Sequence, residues 1–301
     1  MPNKTSDEWE LNKRTIKLTS LDKLYWPDDG LTKGDALSYY REMSSVMLPF
    51  LRDRPLTLRV FPRGLGGPGY WRRERADSTP EWLHSVTYQP ESRKDQIGVP
   101  LIDDAAGLIW YADHSAIEFH QWLSRASDLE QPDWAVFDLD PGDDVSFDQV
   151  LEAALRVRDE LAESDLSGFA KTSGGAGLHV FVPITPGQSF DVVREWVHAL
   201  AVRLAERYPD LIAPASGGTH TGKRVTIDHA QNSIGRNTSA PYSLRARRGA
   251  PVSTPVSWDE IEKGKIRPEQ FTLTTVPKRV EKIGDIWERA LKLHQRLPTD
   301  V

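Results

Sequence analysis

The order of secondary-structure signals between Trp134 and Asp228 constrains this chain more than any other feature. Trp134 to Leu139 reads as a strand. Phe147 to Leu161 then carries Val150, Leu151, Ala154, Leu155, Val157 and Leu161 at helical spacing. Leu178 to Val182 is again a strand, Phe190 to Tyr208 a long helix, and Lys223 to Asp228 returns to strand. Strand, helix, strand, helix, strand buries its apolar faces by laying helices on a sheet, so the expected fold class is a layered α/β (α+β) core, its strand order open.

The flanks add to this. Thr32 and Asp35 read as the start of a helix, with Ala36, Leu37, Tyr40, Met43, Met47 and Leu51 recurring as far as the Pro49 to Pro55 region. Thr57 to Phe61, a glycine-rich turn at Pro62 to Gly69 and Tyr70-Trp71 predict a hairpin. A short helix is expected over Trp258 to Lys263, and a terminal one over Val280 to Arg296. With 301 residues, 39% hydrophobic content and ten Trp, the chain has ample apolar surface for such a core. Cysteine is absent, which removes disulfides, thiol nucleophiles and Cys zinc sites and fits an intracellular address. The N-terminus begins polar and no apolar run is long enough to span a bilayer, so a cytoplasmic protein without membrane contact is expected.

A formal net charge of -6 argues against indiscriminate binding of nucleic acid. Its distribution points the other way. Seven Arg stand between Arg52 and Arg75, and six Lys or Arg between Gly218 and Arg248, while acids gather around Asp143 to Asp165. That is what a basic groove on an acidic body would need to steer a polyanion, and equally what solvated surface charge would give.

Three groups carry chemistry. In Phe137-Asp138-Leu139-Asp140 the strand period of two sends Phe137 and Leu139 inward and projects Asp138 and Asp140 together. Adjacent hard oxygen donors suit Mg²⁺ or Mn²⁺, although an Asp pair at a strand end also caps helices. Ser173-Gly174-Gly175-Ala176-Gly177-Leu178-His179 is a candidate phosphate cradle or a plain turn, with His179 on the face opposite Leu178 and Val180. Val225-Thr226-Ile227-Asp228 delivers a third strand-borne carboxylate, with Gln231 beyond it. Arg245 and Arg247 could share one polyphosphate or form rim salt bridges. Three acids, a glycine turn with His and an Arg pair are what a two-metal phosphoryl or nucleotidyl transferase requires. A metal-dependent phosphoesterase and a DNA-end-binding module with vestigial catalysis are the alternatives.

Lys23-Leu24-Tyr25-Trp26-Pro27, Thr32-Lys33, Glu118-Phe119-His120, Phe137 to Gly142, Thr172 to His179 and Ala240 to Arg245 stand in one order. In that order they resemble the polymerase domain of bacterial ligase D, in the archaeo-eukaryotic primase superfamily, from about Lys17 to about Gln270. The resemblance implies a primase-polymerase-like core in a single catalytic domain over 1–301, with a 5′-phosphate-binding part at 1–56 and a helical arm at 271–301. It implies a template-directed nucleotidyltransferase that fills gaps and extends 3′ ends in non-homologous end joining and prefers ribonucleotides.

By the same resemblance, Asp138, Asp140 and Asp228 hold two divalent cations, Mn²⁺ or Mg²⁺. Ser173, His179, Arg245, Arg247, Gln231 and Arg59 serve the nucleotide, and His120 its sugar. Lys23 and Lys33 take the 5′-phosphate across a gap, and Tyr70 and Trp71 stack on template bases. Where some relatives carry Lys this chain has Ala176, so that triphosphate contact is absent or supplied by Arg236 or Arg59. The implied partners are gapped or broken DNA, nucleoside triphosphates, a Ku-type end-binding protein and an ATP-dependent DNA ligase, at the nucleoid.

Overall fold

The computed structural model describes residues 6–214 and 222–298. The start of the 218–248 basic stretch lies outside the described residues. By compactness the chain forms two units. The first comprises Met1–Trp122, Asn237–Ser253 and Phe271–Gly284, and the second Leu123–Arg236, Thr254–Gln270 and Asp285–Val301. The 1–56 segment lies wholly within the first unit, and the 271–301 arm is divided between the two.

In the first unit an antiparallel four-stranded sheet runs in the order Thr238–Ser239, Ala116–Gln121, Leu56–Val60, Tyr70–Arg72. The expected hairpin is its outer pair, with Arg59 opposite Trp71 and Val60 opposite Tyr70. Helix α1 (Lys33–Leu51) starts at the capping box read from Thr32 and Asp35, each side chain bonded to the other's backbone N–H. It is tied to the Pro251 side of the unit by Tyr39, whose hydroxyl donates to the Tyr242 carbonyl at 2.8 Å. Helix α2 (Ala105–Asp113) also packs on α1.

The second unit holds the layered core. Its six strands run Ile212–Pro214, Val225–Asp228, Trp134–Pro141, Leu178–Pro183, Phe169–Thr172, Pro255–Val256, antiparallel except for the first pair. Helices α3 (Phe147–Glu163) and α4 (Phe190–Arg207) cover the face on which Phe137 and Leu139 are fully buried, and Phe137 meets Trp196 of α4 edge-on at 5.7 Å. Helix α3 is capped by Ser146 and Gln149, so the Asp138 and Asp140 carboxylates are not its caps. On the opposite face Trp134, Phe169 and Phe181 pack around Trp287, whose indole N–H donates to the Ala170 carbonyl at 3.1 Å. A short helix α5 (Trp258–Glu262) stands where expected.

The terminal helix is shorter than predicted. Helix α6 spans Val276–Ile283 and ends at Gly284, whose φ of 72° no helix continues. Beyond it Trp287 fills the sheet face, and Gln295 clips Ser167 and Pro183 through its amide. The apolar spacing that looked helical from Val280 onward is shared between two structural tasks. Trp287→Ala should therefore cost about 3–5 kcal/mol in urea unfolding, since it empties a buried site, while Val192→Ala on exposed α4 surface should stay within about 0.5 kcal/mol.

Candidate functional site

The second unit lines up its polar side chains by register. Asp138 stands opposite Asp228 on one neighbouring strand and opposite His179 on the other, and His179 stands opposite Lys171. Residues paired in this way share a face, with Cβ atoms roughly 4.5–5.5 Å apart. The result is a row across four strands: Asp228, Asp138, His179, Lys171. His179 Nε2 lies 3.1 Å from Asp138 Oδ1, and its Nδ1 lies 3.0 Å from the Lys171 ammonium. Lys171 is completely buried, and its ammonium also stands 5.5 Å over the ring of Phe181. The ammonium can only donate, so Nδ1 accepts and the Nε2 hydrogen points at Asp138. Lys171 is a residue the sequence reading missed; only its place across the hairpin from His179 would have flagged it.

Asp140 projects on the same face, opposite Thr226. The Thr226 hydroxyl is buried and has no hydrogen-bond partner among the described residues. Gly177 closes over this edge: a Cβ there would stand 2.5 Å from the Leu139 carbonyl and 3.3 Å from Asp140 Oδ1, so the turn can approach the acid only as glycine. The turn carries Ser173, whose hydroxyl accepts the Gly175 N–H at 3.1 Å. Asp228 accepts from the Ala230 N–H at 2.9 Å and the Gln231 amide at 3.2 Å, which places Gln231 at the acid row. Next to it the Asn232 amide exchanges two 2.8 Å bonds with the Val136 backbone and acts as a strand partner, a role sequence did not reveal.

Among the described residues no three carboxylate or imidazole groups converge into a closed metal-ligand set. The arrangement is an open edge of oxygen donors, with one carboxylate facing another in register and an orphaned hydroxyl beside the third. Such a donor set fits Mg²⁺ or Mn²⁺, which are held by one or two carboxylates and completed by phosphate oxygens and water.

In the first unit a second row forms by the same rule, Glu118 opposite Arg59 and Arg59 opposite Trp71, with His120 two residues beyond Glu118 on that face. The Arg59 guanidinium lies 4.7 Å over the Trp71 ring, and Trp71 meets His120 edge-on at 4.8 Å. Glu118 Oε2 takes His120 Nε2 at 2.7 Å and Arg245 Nε at 2.9 Å, while Oε1 takes the Ala246 N–H at 2.9 Å. Burial by itself would raise the Glu118 carboxyl, but the His120 hydrogen bond and the charge of Arg245 hold it down at about 2.

Arg245 and Arg247 do not share a strand face. The chain turns after Arg245, leaving Arg247 exposed, and its carbonyl accepts the Trp26 indole N–H at 2.8 Å. The Leu24 to Pro27 motif thus anchors the arginine loop. Tyr70 and Trp71, as strand neighbours, face opposite ways. Trp71 stands 44% exposed beside His120, whereas Tyr70 borders a groove of about 690 Å³ with Arg72, Trp82 and Trp110.

The two lysines differ as well. The backbone N–H of Lys33 bonds to the Lys23 carbonyl at 2.8 Å, so they are neighbours. Lys23 is half-exposed with its ammonium on the Pro62 carbonyl, but Lys33 is 3% exposed and paired with Asp113 at 2.7 Å and the Thr19 carbonyl at 2.6 Å. Within the basic stretch, Arg54 is buried against the Trp122 carbonyl and Arg75 ties the Thr79 to Leu83 loop, so part of that charge is structural.

The family described as LigD, primase-polymerase domain, matches residues 32–287. The multifunctional non-homologous end joining protein LigD of Mycobacterium bovis is 35% identical over 286 residues, 92% of this chain and 37% of that protein. The LigD protein of Pseudomonas aeruginosa is 29% identical over 284 residues, 94% of this chain and 34% of that protein. The chain thus spans a little over a third of the length of the curated relatives it matches. A solved structure, the polymerase domain from Mycobacterium tuberculosis ligase D in complex with DNA, superposes with a TM-score of 0.86 at 32% identity, covering 93% of this chain and 99% of that one.

Two measurements check this geometry. Lys33→Met leaves Asp113 buried without its cation and should lower stability by about 3–5 kcal/mol in urea unfolding, an effect a surface lysine would not have. The Glu118 carboxyl lies below its ordinary 4.5 in the folded chain, so its stabilising contribution is complete above about pH 4.5 and is lost as pH falls toward 2. The stability gap between the natural chain and Glu118→Gln should accordingly shrink across that interval in acid unfolding titrations.

Proposed function

We propose that this chain, which belongs to the LigD primase-polymerase domain family, is a DNA-dependent nucleotidyltransferase acting in double-strand break repair by non-homologous end joining. It fills gaps and extends 3′ ends, favours ribonucleotides, and releases pyrophosphate. The observation that carries this reading is the in-register pair Asp138 and Asp228, flanked by His179 and with Asp140 on the same face. Facing carboxylates repel one another, and a fold that holds them together is built for cations.

Asp138, Asp140 and Asp228 would hold two divalent cations, Mn²⁺ or Mg²⁺, which supply activation of the attacking 3′-hydroxyl and neutralisation of the leaving pyrophosphate. The chain's own residues do the rest. His179 is oriented by Lys171 so that its Nε2 hydrogen serves Asp138 and the anionic edge beside it. The Ser173 to Gly177 turn brings its hydroxyl and backbone N–H groups to the triphosphate, with Gln231 set at the same row by Asp228.

In the first unit Arg245, Arg247 on the exposed turn after it, and Arg59 over the Trp71 ring are the cations offered to the nucleotide. His120 reads the sugar, Trp71 offers a stacking face, and Tyr70 contributes from the other side of the strand. Lys23 meets the 5′-phosphate of the gap while Lys33 supports that site from inside. A Ku-type end-binding protein and an ATP-dependent ligase complete the repair reaction. No helix among the described residues is long and apolar enough to cross a membrane, and a place at the nucleoid follows from the DNA substrate.

Single-nucleotide extension on a gapped duplex with Mn²⁺ or Mg²⁺ tests the reading. The natural chain should incorporate, and Asp138→Ala with Asp140→Ala should abolish incorporation. In the same set, Lys23→Ala should remove the affinity gained from a 5′-phosphate and lower the salt slope of binding by about one. Triphosphate turnover without a primer would reassign the chain as a phosphoesterase, and gap binding without incorporation would leave only an end-binding module.

A further inference from the structure

We propose that Glu118 is a positioning residue for nucleotide selection, fixing the tautomer of His120 and the direction of Arg245 through one carboxylate. This rests on the nucleotidyltransferase reading above. The two partners come from separate stretches of chain, and Glu118 is where they meet: both reach Oε2, while the Ala246 N–H occupies Oε1. Burying a carboxylate to 6% exposure strips most of its hydration, and three donors compensate it. An apolar side chain would pack this position without that cost, but it could not orient an imidazole and a guanidinium together.

The chemistry of orientation follows from the donor inventory. An ionised carboxylate only accepts, so the His120 nitrogen 2.7 Å away, Nε2, must carry the hydrogen. In the neutral ring Nδ1 is then an acceptor. A ribose 2′-hydroxyl can donate to it, and a deoxyribose has nothing to offer. The ring plane is held as well, by the edge of Trp71 with an interplanar angle of 75°. Arg245 is gripped at its inner nitrogen, and its backbone N–H is bonded to the Pro251 carbonyl at 2.8 Å, so both ends of the side chain are directed. Sugar discrimination and triphosphate grip are therefore parts of one hydrogen-bonded unit.

The test compares ribo- and deoxynucleotides of one base in single-nucleotide extension by the full chain, by Glu118→Gln, Glu118→Asp and His120→Ala, and by the Glu118→Gln/His120→Ala double variant. In Glu118→Gln, kcat/KM for the ribonucleotide should fall roughly 10–100-fold, chiefly through KM, as happens when an orienting partner is lost. The ribo-to-deoxy ratio should fall to that of His120→Ala, the double variant should fall no further, and Glu118→Asp should recover part of the ratio. Affinity for gapped DNA should not change. A ratio left at the natural value in Glu118→Gln while His120→Ala collapses it would overturn the proposal. So would additive losses in the double variant. Where Glu118→Gln fails to fold, ¹⁵N spectra of the natural chain decide: His120 protonated on Nε2 and not on Nδ1 is expected, and any other protonation state overturns the proposal. A natural chain that incorporates no nucleotide overturns the nucleotidyltransferase reading itself, and that control separates the two failures.

Discussion

The register of the strand Trp134–Pro141 is the constraint on which the second unit depends. Shifted by one residue against either neighbour, Phe137 and Leu139 would leave the core under α3 and α4, and Asp138 and Asp140 would enter it. Several devices hold that register. The buried aromatic cluster around Trp287 sits on the same face as the acids, further along the strands, and the Asn232 amide continues the ladder where its own strand has ended. Gly177 closes the remaining edge, because only a residue without a Cβ can pass the Leu139 carbonyl so closely. Packing at one end of the sheet thereby sets electrostatics at the other.

The two units solve the same problem in different ways. Each sets a row of ionisable side chains across an antiparallel sheet, where the period of two and the pairing register decide who meets whom. In the first unit the charges cancel locally: Glu118 is answered by Arg245, His120 and a backbone N–H, which is why its carboxyl stays ionised despite burial. In the second unit the row is graded. A buried ammonium stands at one end, an imidazole follows, and two carboxylates face each other at the other end. A cluster of mixed charge orients its own members, whereas carboxylates that face each other in register form a set of hard oxygen donors.

Much of this was legible beforehand. The alternation in Phe137 to Asp140 and in Leu178 to Val182, the capping box at Thr32, and the hairpin turning at Gly64 to Gly69 depend on neighbours within a few residues, and local sequence carries such signals directly. The terminal helix was read too long because apolar spacing does not say which surface each residue will meet, and Gly284 ends the helix before Trp287 turns to the sheet. The resemblance gave Lys33 only as a 5′-phosphate ligand, and its buried pairing was not legible because nothing near it in sequence announces Asp113, eighty positions away.

Sequence by itself determined the layered α/β class, the strands that carry Asp138, Asp140 and Asp228, and the turn that carries Ser173 and His179. All of these rest on periodicities of two and 3.6 and on glycine's freedom, which act over a single element. Only the tertiary structure decided that Asp138 faces Asp228, that Lys171 orients His179, that Trp26 anchors the arginine loop, and that Glu118 joins His120 to Arg245. Apart from the local step from Glu118 to His120, those pairings are fixed by strand order and register, which come from the burial of many side chains at once, and no single element contains both partners.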